Sequence, residues 1–363
     1  MFELIFLVFI ILYFTQTIIF TIGIGKKYEK LPHEKLPSVS VIVAARNEEE
    51  NILECLKSLD NLIYTSEKLE IIIVDDHSTD RTGEIIRKFI EDKKKFKLII
   101  PQKQIGEVKG KANAIANALE IATGEVILTT DADCEVSPRW AETLASYYKE
   151  DVALVCGYTT QEGSTAFEGM QAVDFIYLLA VAAGAMNLGK PLSCIGNNMS
   201  YKRKVYDEIG GYAKIPFSVT EDFKLLMAFH KLKKYKIIYP LDKGGLVTSK
   251  PCSDFKSLYH QKKRWGVGGI DSDIIGYLVM ATGFLTHTAM LAVPFFFSLP
   301  ALYILLFKII IDYLFLYPVY KRLELLYKFK HFISFQIYFI AYVFALPFIL
   351  LGSRQVEWKG RKF

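Results

Sequence analysis

The chain has 363 residues, 52% of them hydrophobic and 23% charged, a mixture that excludes a disordered or fibrous protein. Charge is unevenly placed: 4–25, 274–307 and 332–353 hold no Asp, Glu, Lys or Arg, while almost all the charge lies between Lys26 and Asp273. This is the pattern of a membrane protein carrying one soluble domain, and with no recognition module in view the net charge of +5 points to anionic headgroups and not to nucleic acid.

Residues 4–25 are long and apolar enough to span a bilayer. No Lys or Arg precedes the run and no A-x-A-like site follows it, so a retained anchor is expected over residues 1–25 in place of a cleaved signal peptide. Lys26, Lys27, Lys30 and Lys35 come directly after, which puts the N-terminus outside and the soluble domain in the cytosol.

From Val39 onward, β-branched runs alternate with helical patterns. Strands are expected at 39–44, 70–74, 97–100 and 126–129, and helices at 48–59, 80–90 and 109–122. The alternation argues for an α/β fold with a mostly parallel sheet and helices on both faces, in which ligands bind at the carboxyl ends of the strands. Two of those ends carry paired carboxylates, Asp75-Asp76 and Asp131-x-Asp133. In extended backbone Asp131 and Asp133 point to one face and can share a cation, and hard oxygen donors suit Mg²⁺ or Mn²⁺ held together with a substrate phosphate. The same residues also read as a polar turn before Ser137-Pro138, and Asp75-Asp76 as caps of the next helix.

Downstream, Thr220-Glu221-Asp222 opens an amphipathic stretch, where an N-cap Thr followed by two acids accounts for it without a function. Gln261-Lys262-Lys263-Arg264-Trp265 precedes the next apolar run, and basic residues with Trp also anchor at headgroups. The five cysteines show no CxxC spacing and read as reduced thiols. The loop 194–200, Cys-Ile-Gly-Asn-Asn-Met-Ser, offers Asn side chains that can read sugar hydroxyls or simply form a turn.

The run 274–307 is too long for one helix and reads as a hairpin, roughly 274–295 then 299–318, with Lys308 and Asp312 one turn apart and able to pair. A last span is expected at 332–353, followed by a basic tail at 354–363. Three spans after a cytosolic domain would put that tail outside, whereas its charge and that of Lys321, Arg322, Lys328 and Lys330 both favour the inside, so one segment is expected to be re-entrant or interfacial.

Taken in order, V-S-V-I-V-A-A-R-N-E-E, V-D-D-H-S-T-D, K-G-K-A-N-A-I-A-N-A-L, D-A-D, T-E-D and Q-K-K-R-W resemble a membrane-bound family 2 glycosyltransferase with a GT-A nucleotide-sugar fold over residues 38–270. The resemblance implies that Ala44, Arg46 and Glu48 line the base of a UDP-sugar, that Asp76 contacts uracil or ribose, and that Lys111 lies near the nucleotide. It further implies that Asp131 faces the ribose or sugar, that Asp133 holds Mg²⁺ or Mn²⁺, and that Asp222 is the general base. Gln261, Arg264 and Trp265 would hold the diphosphate and the acceptor end. The tail V-E-W-K-G-R-K-F resembles the W-K/R-G-R ending of relatives that glycosylate lipids. The implied activity is inverting transfer of a sugar to a lipid or lipid-linked acceptor at the cytosolic face of the cell membrane. A processive polysaccharide synthase is the close alternative, and a non-catalytic nucleotide-sugar-binding scaffold a further one.

Overall fold

The computed structural model describes residues 1–352, Gln355, 357–358 and 361–362. Of the basic tail, Arg354, Lys359 and Gly360 lie outside the described residues, as do Ser353, Val356 and Phe363, so the W-K/R-G-R likeness falls largely outside them. The chain divides into two compact units: Met1–Gly25 with Gln161–Leu192 and Pro251–Phe363, and Lys26–Thr160 with Ser193–Lys250. Residues 161–192 and 251–269, inside the 38–270 range expected for the soluble domain, belong to the first, apolar unit.

In chain order the helices are α1 (Phe2–Ile24), α2 (Ile52–Asp60), α3 (Thr82–Ile90), α4 (Lys111–Leu119), α5 (Trp140–Ala145), α6 (Ala166–Asn187), α7 (Arg203–Glu208), α8 (Glu221–Lys231), α9 (Phe255–Gly269), α10 (Ile274–Ala292), α11 (Leu299–Arg322) and α12 (Phe332–Gly352). The strands are β1 (Val39–Ala45), β2 (Leu69–Asp75), β3 (Phe96–Ile99), β4 (Val126–Asp131), β5 (Glu135–Val136), β6 (Val152–Cys156), β7 (Thr159–Gln161), β8 (Met199–Lys202), β9 (Lys236–Ile238) and β10 (Val247–Ser249).

The second unit is built on a sheet of order β3-β2-β1-β4-β8-β6-β9. Only β8 runs against the others, pairing antiparallel with β4 and β6. The interior strands read as continuous apolar runs because both of their faces are covered: Val41, Ile42, Val43, Ile71, Ile72 and Ile73 are all fully buried. Ser40 is a buried polar residue within the apolar run of β1. Its hydroxyl bonds Glu70 and accepts the Gly124 N–H at 2.8 Å, and a Cβ at Gly124 would stand 2.3 Å from the Ser40 nitrogen. Strand order places β2 and β3 on one side of β1 and β4 on the other, so the chain reverses direction across the sheet between β1 and β4. That reversal leaves a crevice at the carboxyl ends of these two strands.

In the first unit, α1 and α6 cross at glycines. A Cβ at Gly23 would meet the Gly184 carbonyl oxygen at 1.9 Å, and one at Gly184 the Phe20 carbonyl oxygen at 2.6 Å, so the two backbones touch. The expected Lys308–Asp312 pair forms at 2.7 Å with both side chains fully buried. Asp312 also accepts from Gln336 Nε2 at 2.8 Å and from the Tyr13 hydroxyl at 2.6 Å, which ties α1, α11 and α12 together.

Among the described residues five helical stretches are long and apolar enough to cross a membrane: α1, α6, α10, α11 and Leu326–Gly352, which contains α12. Four such segments were expected. The addition is α6, 83% buried over its most apolar window against 17–33% for the others. The second arm of the hairpin runs on through Pro318 to Arg322, beyond the expected end at 318.

Candidate active site

The β1/β4 crevice is set by register. Ala44 pairs with Asp131 across the sheet and with Val74 on the other side, so the ends of β1, β2 and β4 lie level. The three segments that leave them carry Arg46 to Glu48, Asp76 and Asp133.

The loops after β1 and β2 are laced to each other. The Asn47 amide donates to Ser78 Oγ at 3.1 Å and its side-chain oxygen accepts the Thr79 N–H at 2.8 Å. The Glu48 N–H donates to Thr82 Oγ1 at 2.8 Å. Asn47 and His77 both have left-handed backbone, with φ of 52° and 55°. Lacing consumes the residues in which a helix from 48 was expected, which is why α2 starts at Ile52. Arg46 donates to the Asp76 carbonyl at 2.6 Å and lies 4.0 Å from its carboxylate, so this pair closes one side of the crevice. Asp76 itself is buried, its N–H donating to the Ala45 carbonyl at 2.8 Å. The Glu48 carboxylate accepts from Asn51 Nδ2 at 2.8 Å.

At the end of β4 the carboxylates meet a lysine. Lys111, the first residue of α4, ion-pairs with Asp131 and stands 3.9 Å from Glu221 at the start of α8. Burial works against the charge of Lys111, but Asp131, Glu221 and Asp222 outweigh it and raise its pKa above the ordinary lysine value. Lys111 is therefore a partly buried cation joining the two acidic motifs.

The Asp222 carboxylate reaches beyond the first turn of α8. Thr220 occupies the cap of α8, yet its side chain makes no capping bond. Asp222 Oδ2 instead accepts the Gly196 N–H at 2.7 Å and Oδ1 the Phe223 N–H at 2.8 Å. Gly196 belongs between the two motifs: a Cβ there would stand 3.3 Å from Asp222 Oδ2 and 3.4 Å from Lys111 Nζ. Its carbonyl is fixed by Thr129 Oγ1 of β4 at 2.9 Å.

The asparagines beside Gly196 are structural. Asn198 donates to the carbonyls of Tyr158 and Gly245 at 2.7 and 2.9 Å and accepts from Trp140 Nε1 at 2.9 Å, and Asn197 accepts from Thr159 Oγ1 at 2.9 Å. Both are buried, so of the two readings of this loop the structural one holds.

Asp133 is half-buried, with the Cys134 thiol 3.4 Å from its Oδ1. Burial first, and then Asp133, pushes the Cys134 thiol up, so it stays protonated. Among the described residues no three His, Cys, Asp or Glu side chains gather into a ready-made metal site. One or two carboxylates at a strand end still fit a hard divalent cation that completes its shell with phosphate and water.

Gln261, Arg264 and Trp265 lie in the first unit, on α9. The Trp265 ring stacks on Phe175 of α6 at 5.5 Å, and Lys262 Nζ lies 4.2 Å from its centroid. The structure thus brings Lys111, Asp131 and Asp222 together, Arg46 beside Asp76, and Ala44 beside Asp131. Glu221 and Gly196 join them without having been singled out, although Glu221 stood in the T-E-D string.

The family model described as Glycosyl transferase family 2 matches residues 40–210, and that described as Glycosyl transferase family group 2 matches 126–352, more than half of the chain. A beta-monoglucosyldiacylglycerol synthase of Nostoc sp. is 29% identical over 253 residues, covering 67% of this chain and 51% of that protein. A probable glycosyltransferase, YdaM, of Bacillus subtilis is 29% identical over 250 residues, covering 65% and 56%. The chain spans about half the length of these curated relatives. A poly-beta-1,6-N-acetyl-D-glucosamine synthase of Staphylococcus aureus is 26% identical over 312 residues, covering 85% of this chain and 68% of that one. Among solved structures, a mannosyltransferase of Pyrobaculum calidifontis in complex with GDP-Man and Mn²⁺ superposes with a TM-score of 0.61 at 20% identity, over 93% of this chain and 98% of that one. With a GT-A-like sheet, acidic motifs at its β1/β4 crevice and these matches, the chain belongs to the family 2 group of glycosyltransferases.

Proposed function

We propose that this protein moves one sugar from a UDP-sugar to a lipid or lipid-linked acceptor at the cytosolic face of a membrane, inverting the anomeric centre. The observation that carries the reading is the pairing of Lys111 with Asp131 on one side of Gly196 and Asp222 on the other. Such a site can hold a donor between a nucleotide-binding edge and a base. The expected N-cap reading of T-E-D is weakened by the orientation of Asp222, whose carboxylate turns to the Gly196 loop.

In this reading the ends of β1 and β2 hold the base and ribose, with Arg46 and Asp76 fixing the loop shape. The Asp222 carboxylate takes the proton of the acceptor hydroxyl as its oxygen attacks the anomeric carbon and UDP departs. Lys111 bridges Asp131 and Glu221 at the mouth of this site. Asp133, with Asp131, would hold Mg²⁺ or Mn²⁺, which when bound would neutralise the diphosphate. Arg264 and Gln261 would stabilise charge on the departing UDP, and Trp265 would border the acceptor.

The lipid acceptor draws support from the name of the Nostoc relative and from five long apolar helices, which also support a membrane location. The test is transfer from a panel of radiolabelled UDP-sugars in purified membranes with Mg²⁺ or Mn²⁺, the product being partitioned between organic solvent and water. Label in the organic phase as a single-sugar species is the expected result. Long water-soluble polymer would instead establish a polysaccharide synthase, the activity in the name of the Staphylococcus aureus relative.

A further inference from the structure

One stripe of α6, made of Phe167, Gln171, Asp174 and Phe175 at spacings i, i+4, i+7 and i+8, receives the segment that carries Q-K-K-R-W. The Phe167 ring packs on Phe255 at 4.7 Å. The Gln171 side chain accepts the Cys252 N–H at 2.9 Å and donates to the Cys252 carbonyl at 3.1 Å, clamping the chain just before α9. Asp174, fully buried, ion-pairs with Lys262, whose side chain is only 6% exposed. Phe175 stacks on Trp265, and the Lys262 ammonium lies 4.2 Å from the Trp265 centroid and 5.0 Å from that of Tyr342 on α12.

Burial alone does not call for this ion pair, because apolar residues of similar volume fill such a place as well or better. What it adds is direction. Rings tolerate rotation against one another, whereas a lysine aimed at one carboxylate fixes the roll of its helix. At 100° per residue, Lys262 and Trp265 share the face of α9 turned to α6 and α12, while Gln261 and Arg264 project together from the adjoining face. Gly266, one residue on, has the Leu346 and Leu350 side chains of α12 within 3.0–3.1 Å of a built Cβ, so the helix has little room to shift.

We propose that Asp174 and Lys262 are positioning residues for the transfer reaction: their ion pair sets the roll of α9 and so the aim of Gln261 and Arg264. This rests on the reading of those two residues given under Proposed function. The test measures kcat for sugar transfer and UDP affinity on the full-length protein in membranes for Arg264→Ala, Lys262→Met, Asp174→Asn and the double variant Lys262→Met/Asp174→Asn. A misaimed group costs about 10- to 100-fold in rate. Lys262→Met and Asp174→Asn are each expected to lose that much in kcat and to lose no more UDP affinity than Arg264→Ala does, and the double variant to be no worse than either single one.

Loss of UDP affinity in a Lys262 or Asp174 variant beyond that of Arg264→Ala would show a purely structural pair and overturn the proposal. So would additive losses in the double variant, or single variants with wild-type kcat when Arg264→Ala is impaired. Wild-type kcat in Arg264→Ala would sink the reading of the motif itself, and the proposal with it.

Discussion

Replacing Asp222 by Asn tests the centre of the reading because two effects of the change can be separated. Asp222 accepts two N–H bonds, from Gly196 at 2.7 Å and from Phe223 at 2.8 Å, one on each oxygen. Asn has one oxygen, so one of these N–H groups would face an NH₂ group, at a cost of about 1–3 kcal/mol to the local structure. That cost falls on the Gly196 loop and the start of α8, and UDP affinity should change by no more than about threefold, or ~0.6 kcal/mol. Loss of the base should lower kcat about 10²- to 10⁴-fold, equivalent to roughly 2.7–5.5 kcal/mol of barrier. Single-turnover transfer measured beside UDP binding on the same membranes reads both. Near wild-type turnover would refute the assignment of the base, and a loss of UDP affinity matching the loss of turnover would make Asp222 a loop anchor only.

Asp133→Asn should weaken UDP binding in the presence of Mn²⁺ and abolish its sensitivity to chelator, as read by titration with and without EDTA; unchanged chelator sensitivity would move the metal site elsewhere. Glu70 gives a pH test. Burial opposes its charge, but Lys97, Ser40 and Thr123 outweigh this and hold its carboxyl down at about 2. A folded-state pKa below the unfolded value contributes stability above the unfolded pKa and loses it as pH falls, so the contribution, at most ~3 kcal/mol, should fade from about pH 4.5 toward pH 2. The melting temperatures of wild type and Glu70→Gln should therefore differ at pH 7 and converge in that window. Gly184→Leu should separate α1 from α6, at about 1–3 kcal/mol or more, and appear as lost folded yield in detergent; an unchanged yield would show that the crossing can open freely.

The sheet and its crevice were legible because V-S-V-I-V-A-A and V-I-L-T-T-D are apolar on both faces and end in polar residues, and parallel strands of that kind put their ligands at the carboxyl edge. Lys111 was recognisable from its string, but not its neighbours, since the approach of α4 to α8 depends on tertiary packing. Asn197 and Asn198 stayed ambiguous because an amide in a loop carries the same signal whether it faces a ligand or a buried carbonyl. The helix α6 escaped notice because the search for spans followed charge-free runs, and Glu168 and Asp174 interrupt this one. A signal for it was present: Thr165 and Glu168 form a capping box, a pattern visible as T-x-x-E before an apolar run.

The pairing of β6 with β8 constrains how the chain is threaded during synthesis. These strands flank α6 in sequence and exchange hydrogen bonds in one sheet, so both ends of α6 must finish on the same side of any bilayer. A helix of 22 residues with mean hydropathy 1.5 over its most apolar window is nevertheless long enough for an insertion machinery to accept as a crossing. Reading it that way would strand β8 and β9 from their partners. The carboxylate of Asp174 disfavours insertion by about 2.5–3.5 kcal/mol on translocon scales, so it also keeps the two halves of the sheet on one side long enough to meet.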